Sequence, residues 1–217
     1  MSRRGDINKL IPGSHSSKTQ LMSAAEHGNS AKVVKLIDED EAQVDCMNEL
    51  GMTALHFAST GEVVRALCER GADVDAETYS FNMEKPLCFA VDNDYDSVVA
   101  ELIAQGADVD AKCNRVCTPI SCCFPFSDTR LPKRKAFAAL MAGGAELRDG
   151  ELYLTVSKRC LEGVRMLVDA GADMTLKFAP YDIGLPPGLA PETPLSQAVR
   201  RGSREIADFL QSRGAPM

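Results

Sequence analysis

A turn signal and a stop signal recur in phase along this chain of 217 residues. Thr53, Lys85, Thr118, Gly150 and Thr193 stand at the turn position, and Gly71, Gly106, Gly144, Gly171 and Gly214 at the stop. Successive turn positions lie 32, 33, 32 and 43 residues apart. A period in this range leaves few architectures open, because each unit is too small to bury a core alone and neighbouring units must stack. The clearest unit is Gly51 to Glu77, GMTALHFASTGEVVRALCERGADVDAE. It joins a Thr-Ala-Leu-His turn to a short apolar helix, then a second helix carrying Val63, Val64 and Leu67, then the Gly71-Ala72-Asp73 stop.

Thr53 to Ala58 reads T-A-L-H-F-A, Lys85 to Ala90 K-P-L-C-F-A, Thr118 to Cys123 T-P-I-S-C-C and Thr193 to Ala198 T-P-L-S-Q-A. With G-A-D-V-D-A at Gly71 to Ala76 and again at Gly106 to Ala111, these segments resemble the ankyrin repeat. The resemblance implies an all-α solenoid of about six helix-turn-helix units with short hairpin loops. It covers residues 19–217 as one domain, and residues 1–18, polar and without periodicity, read as a disordered lead-in.

Residue chemistry supports the unit. A turn Thr caps a helix, its hydroxyl accepting from amides of the first turn. Pro119 and Pro194 fall in that first turn, where a missing N–H costs nothing. The stop glycines suit the left-handed residue that ends a helix. For His56 the resemblance implies a ring that bonds back within its own turn. The units are unequal. The first has no Thr-Pro and stops at Asp40-Glu41-Ala42, the second lacks about one helical turn near Ser59 to Glu62, and the fifth is cryptic. Non-helical insertions are expected at Phe124 to Pro132, where two prolines forbid a continuous helix, and at Phe178 to Glu192.

The net charge of −7 is unevenly placed. Residues through Lys112 hold 10 basic and 20 acidic side chains, and the remainder 14 and 11. The acidic half argues against a nucleic-acid partner, which needs a basic face. No apolar run approaches the ~20 residues of a membrane span. The eight cysteines are scattered, several at apolar positions of the unit, and read as reduced thiols in the cytoplasm, with the nucleus also open. Melting is therefore expected to be indifferent to reductant and to chelator.

Candidate chemistry is sparse. His15, His27 and His56 are the only histidines, no phosphate-binding glycine loop is present, and no catalytic, cofactor or metal residue is assigned. Cys113, Cys117, Cys122 and Cys123 are four thiols within eleven residues, but lack the paired spacing of a zinc site and read as structural or incidental. Lys133-Arg134-Lys135 reads as the opening of a solvated helix, with a minimal nuclear import signal as the alternative. Asp92-Asn93-Asp94 with Asp96 reads as a solvated turn, without the spacing of a calcium loop.

The resemblance implies a protein-interaction module, an adaptor, scaffold or inhibitor, monomeric on its own, whose partner docks on the concave side. Carried over position by position, that side includes Leu50, Met52, Phe81, Glu84, Asp92, Asn93, Arg115, Lys158, Arg200 and Arg201, with Phe126 and Tyr181 from the insertions. Leu50, Met52 and Phe81 are apolar where such tips are usually polar, as at an interface, unless the inserted loops fold over them. Lys158, Arg200 and Arg201 beside the apolar Phe178 to Glu192 segment predict docking of an acidic partner segment, unless that loop merely covers the last helices. A structural or regulatory subunit of a larger enzyme complex is the alternative.

Overall fold

In the computed structural model the chain is described over residues 8–9, 18–79, 84–113, 118–124, 131–148, 150–178 and 191–217. Its helices follow in pairs: α1 (Gln20–Glu26) with α2 (Ser30–Asp38), a 3-10 turn (Ala54–Phe57) with α3 (Gly61–Cys68), and α4 (Pro86–Asp92) with α5 (Asp96–Ala104). Then come α6 (Pro119–Cys122) with α7 (Arg134–Ala142), α8 (Glu151–Ser157) with α9 (Leu161–Asp169), and α10 (Pro194–Arg200) with α11 (Arg204–Ser212). First helices pack on first helices from α1 through the 3-10 turn, α4, α6 and α8 to α10. Second helices form a parallel row, α2, α3, α5 and α7, then α9 and α11. The core is the seam between the rows.

The turn threonines do what their chemistry predicts. Thr19 accepts from the amide of Met22 (3.2 Å), Thr118 from Ser121 (3.2 Å) and Thr193 from Ser196 (3.1 Å). Pro86, Pro119 and Pro194 each open their helix. At Thr53 the amide donates to Nδ1 of His56 (3.0 Å), so Nε2 carries the proton and donates to the Glu84 carbonyl (3.1 Å). His56 thus ties the second unit to the third, and burial lowers its pKa, keeping the ring neutral. The missing turn of the second unit is visible as four residues of 3-10 helix where α1, α4, α8 and α10 each have seven of α-helix. At the stop, Gly71 has φ +85°, which a side chain would strain. Glu41 fills the equivalent role in the first unit at φ 58°.

Seam residues are buried almost completely: Val33, Val63, Val64, Leu67, Leu87, Val99, Leu102, Leu140, Val164, Leu167 and Leu210 are all 0 % exposed. Each such side chain contributes about 1.5–3 kcal/mol. Ion pairs cross between units on the outside, Arg70 with Asp38 (2.8 Å), Arg65 with Glu101 (2.6 Å) and Arg213 with Asp169 (2.5 Å). They are exposed, and fix register more than they stabilise.

The outer row is thinnest between α7 and α9. Phe124 enters there, its ring 5.6 Å from that of Phe137 on α7 and against Gly163 on α9, where a Cβ would meet Phe124 Cδ1 at 2.6 Å. Lys133 caps the end of α4, donating to the carbonyls of Val91 (2.6 Å) and Asp92 (2.8 Å), while Arg134 pairs with Glu162 and Lys135 with Asp96. The three cations stitch neighbouring units rather than only opening a solvated helix. Glu151, 3 % exposed, accepts from the Thr118 hydroxyl across the joint between α6 and α8.

The cysteines correct one expectation. Cys88 on α4 and Cys113 beyond the third stop are joined in a disulfide, 25 residues apart in sequence, so these thiols are not all reduced. The register places both at buried positions, where packing brings their Cα atoms to 5.5 Å. Cys123 is buried and Cys122 partly so, as core positions of α6, and Cys117 lies outside the described residues. Among the described residues, no three His, Cys, Asp or Glu side chains gather as metal ligands. Nor is any described helix long and apolar enough to cross a membrane. Of the expected lead-in, only residues 8–9 and Lys18 are described, and the Asn8 side chain accepts from the Gln43 amide (2.9 Å).

Candidate functional site

The tips of the first hairpins carry large apolar side chains exposed to solvent. Asn48, 4 % exposed, shapes the tip: its side-chain oxygen accepts from the amides of Leu50 (3.0 Å) and Met52 (2.9 Å), and its carbonyl from Gly51 (3.0 Å). Gly51 sits at φ +76°, and a Cβ on it would lie 2.4 Å from the Tyr79 amide and 2.8 Å from its ring. With nothing in the way, the Tyr79 amide donates to the Leu50 carbonyl (2.8 Å), seating two hairpin tips side by side. Leu50 is 55 % exposed, Tyr79 72 % and Met47 37 %.

Carboxylates run along the same hairpins as a ladder. Asp45 accepts from the Asp73 amide (3.2 Å), Asp75 from the Asp108 amide (3.2 Å) and Asp110 from the Glu146 amide (3.1 Å). Each arm therefore fixes the next. Burial, and to a smaller extent the charge of Asp73, raise the Asp45 pKa against the amide that holds it. Lys85 approaches Asp75 at 3.7 Å and Asp108 at 3.9 Å.

Of the residues expected on the concave side, Leu50 stands exposed at the tip, and Glu84 closes the adjacent hairpin by exchanging bonds with Thr78. Asp92 and Asn93 are exposed at the end of α4, apart from the tips, in a turn that is not merely solvated, since Lys133 lies 3.9 Å from Asp92 and 3.6 Å from Asp94. Phe81, Arg115, Phe126 and Tyr181 lie outside the described residues. Met52 and Lys158 are corrections: Met52 is 7 % exposed because the Asn48 turn folds it inward, and Lys158 is 5 % exposed. The Lys158 ammonium donates to the carbonyls of Ser121 (2.7 Å) and Phe124 (2.9 Å), so its charge ends the short α6 rather than facing solvent.

The basic pair of the last unit is also engaged. Arg200 holds Glu192 through two bonds (2.9 and 2.5 Å), and Glu192 accepts from the Tyr153 hydroxyl (2.8 Å). Arg200 keeps the Glu192 carboxyl below its ordinary value, and burial pushes the Tyr153 phenol up to about 12. Glu192 and Phe178 form the one antiparallel bridge among the described residues, closing the base of the second insertion. Arg201 donates to the Ser157 carbonyl (3.3 Å). The cations expected to recruit an acidic segment are thus buried or already bonded.

Tyr79 and Met47 were not among the expected residues. They stand 32 residues apart, one period, so the register of the turns marks them as equivalent tip positions.

Known proteins share this architecture. The family described as "Ankyrin repeats (3 copies)" matches residues 21–113. The B-cell lymphoma 3 protein homolog of Mus musculus is 36 % identical over 101 residues, which is 44 % of this chain and 22 % of that protein. The E3 ubiquitin-protein ligase Ufd4 of Drosophila melanogaster is 34 % identical over 73 residues, 32 % of this chain and 3 % of that protein. The chain thus spans less than a quarter of these relatives. Among solved structures, the ankyrin repeat domain of Bcl-3 superposes with a TM-score of 0.72 at 21 % identity, covering 93 % of this chain and 89 % of that one. The human ASB11 ankyrin repeat domain gives 0.67 at 20 %, covering 92 % and 85 %. A chain from the complex of the predatory endopeptidase Bd0816 of Bdellovibrio bacteriovorus with immunity protein Bd3460 gives 0.67 at 24 %, covering 90 % and 98 %.

Proposed function

Since the chain is built of ankyrin repeats, matched as such over residues 21–113 and by fold beyond them, we propose that it is a non-catalytic module that binds another protein. Its docking surface is the ridge of hairpin tips centred on Leu50 and Tyr79. The supporting observation is that two large apolar side chains stand exposed on tips which Asn48, Gly51 and the Leu50–Tyr79 hydrogen bond hold in place. Such a preorganised apolar group loses little entropy when a partner covers it. The partner is a protein rather than nucleic acid or membrane, because residues 41–53 and 71–79, which form the ridge, hold six carboxylates and no Lys or Arg to meet a phosphate. The module adapts, scaffolds or inhibits that partner as a monomer.

A cytoplasmic setting is part of the proposal, and the Cys88–Cys113 bond tests it. A bond found intact after thiol blocking in the native cell would move the protein to an oxidising compartment. The function is tested by capturing partners with the full chain and with the Leu50→Ala, Tyr79→Ala double variant. Both side chains are exposed, so melting is expected to be unchanged while capture is lost. Equal capture by the variant would remove the ridge from the function.

A further inference from the structure

We propose that the partner segment seated on this ridge is basic, with Lys or Arg on either side of an aliphatic or aromatic anchor. The inference rests on reading the ridge as a docking surface and adds the chemistry of what docks. Its ground is the charge around the apolar tip. Residues 41–53 and 71–79 contain six carboxylates and no Lys or Arg. Asp45, Asp73 and Asp75 are held by backbone amides in the hairpins, which fix their direction without cancelling their charge, although Lys85, 3.7 Å from Asp75, offsets part of the charge there. Glu49, next to Leu50, and Glu77, two residues before Tyr79, are exposed.

Elsewhere the charges are spent differently. Among the cations of the last units, Arg200 holds Glu192, Lys158 the carbonyls of Ser121 and Phe124, and Arg201 that of Ser157, so these three are engaged within the chain. The ridge therefore offers an apolar centre with an acidic rim, and the rim steers and selects an oppositely charged segment. The row of hairpins gives such a segment a linear track, with Leu50 and Tyr79 as the contact for its anchor.

The test uses the full chain and a display library of random peptides as the probe. The expected result is enrichment of peptides combining Lys or Arg with Leu, Phe, Trp or Tyr. Their affinity should fall about tenfold or more from low to physiological salt, and by a similar factor in the Glu49→Lys, Glu77→Lys variant, whose melting should match the native chain. Leu50→Ala with Tyr79→Ala should abolish their binding. An acidic or uncharged consensus, a failure to enrich any peptide, or a basic consensus indifferent to those substitutions overturns the proposal. So does sedimentation showing that the ridge is filled by a second copy of the chain, in a dimer that the alanine pair dissolves. If the alanine pair abolishes native capture while the selected peptides are not basic, the docking surface stands and only its assigned chemistry falls.

Discussion

Glu151 shows how much one side chain at a joint between units can control. Burial raises its carboxyl to about 7, against the hydrogen bond from Thr118, and the charge of Asp110 adds to the rise while Arg148 opposes it. The folded protein keeps this proton over a range in which the unfolded chain has released it. The stabilisation is therefore fully present below the ordinary carboxylate range and is lost as pH rises through about 7. Thermal melts at pH 5, 6, 7 and 8 should show the melting temperature falling over that window. Glu151→Gln, neutral at every pH and still able to accept from Thr118, should flatten the fall. An unchanged slope in the variant would mean that Glu151 does not titrate in the joint. His56 illustrates the opposite case, because its neutral ring is already satisfied at both nitrogens by Thr53 and Glu84.

At the scale of elements, the most informative places are those where a unit departs from its neighbours. The Phe124 ring fills the space between α7 and α9 that a closer helix contact would otherwise occupy, and Gly163 exists to admit it. Gly163→Ala should destabilise the chain by about 1–3 kcal/mol, read from urea unfolding, because the new methyl meets Phe124 on one side and Thr155 Cγ2 at 2.9 Å on another. The Cys88–Cys113 bond closes a loop within the third unit, and reducing it should cost up to about 3 kcal/mol and lower the melting temperature. The sequence pointed to the opposite outcome for a physical reason. A turn Thr, a first-turn Pro and a stop Gly each carry local information, so the helix pairs and their order were legible. A pairing of cysteines 25 residues apart is decided by how the third hairpin returns against α4, which no local signal encodes. Lys158 was misread in the same way: a Lys-Arg pair at a helix end looks solvated until the Phe124 insertion brings two carbonyls over it.

The whole molecule is a stack with unlike ends. The acidic, ladder-linked hairpins of the first units present exposed apolar tips, and the later units spend their cations on their own backbone and on Glu192. Partner binding to such a stack should be local, leaving distant units as free to exchange hydrogen as before, because each unit contacts only its neighbours. Half of the candidate surface was legible in the sequence. Leu50 stood out as an apolar tip, whereas Tyr79 emerged only once the Leu50 carbonyl was seen to receive its amide. The central claim, that the chain binds a protein through these tips, is tested most directly by amide hydrogen exchange on the complex with its captured native partner. The account predicts slowed exchange at residues 45–52 and 73–79 and little change in the outer helices α2, α3 and α5. Protection confined to those outer helices, or to the last two units, with residues 45–52 and 73–79 exchanging as in the free chain, would contradict it.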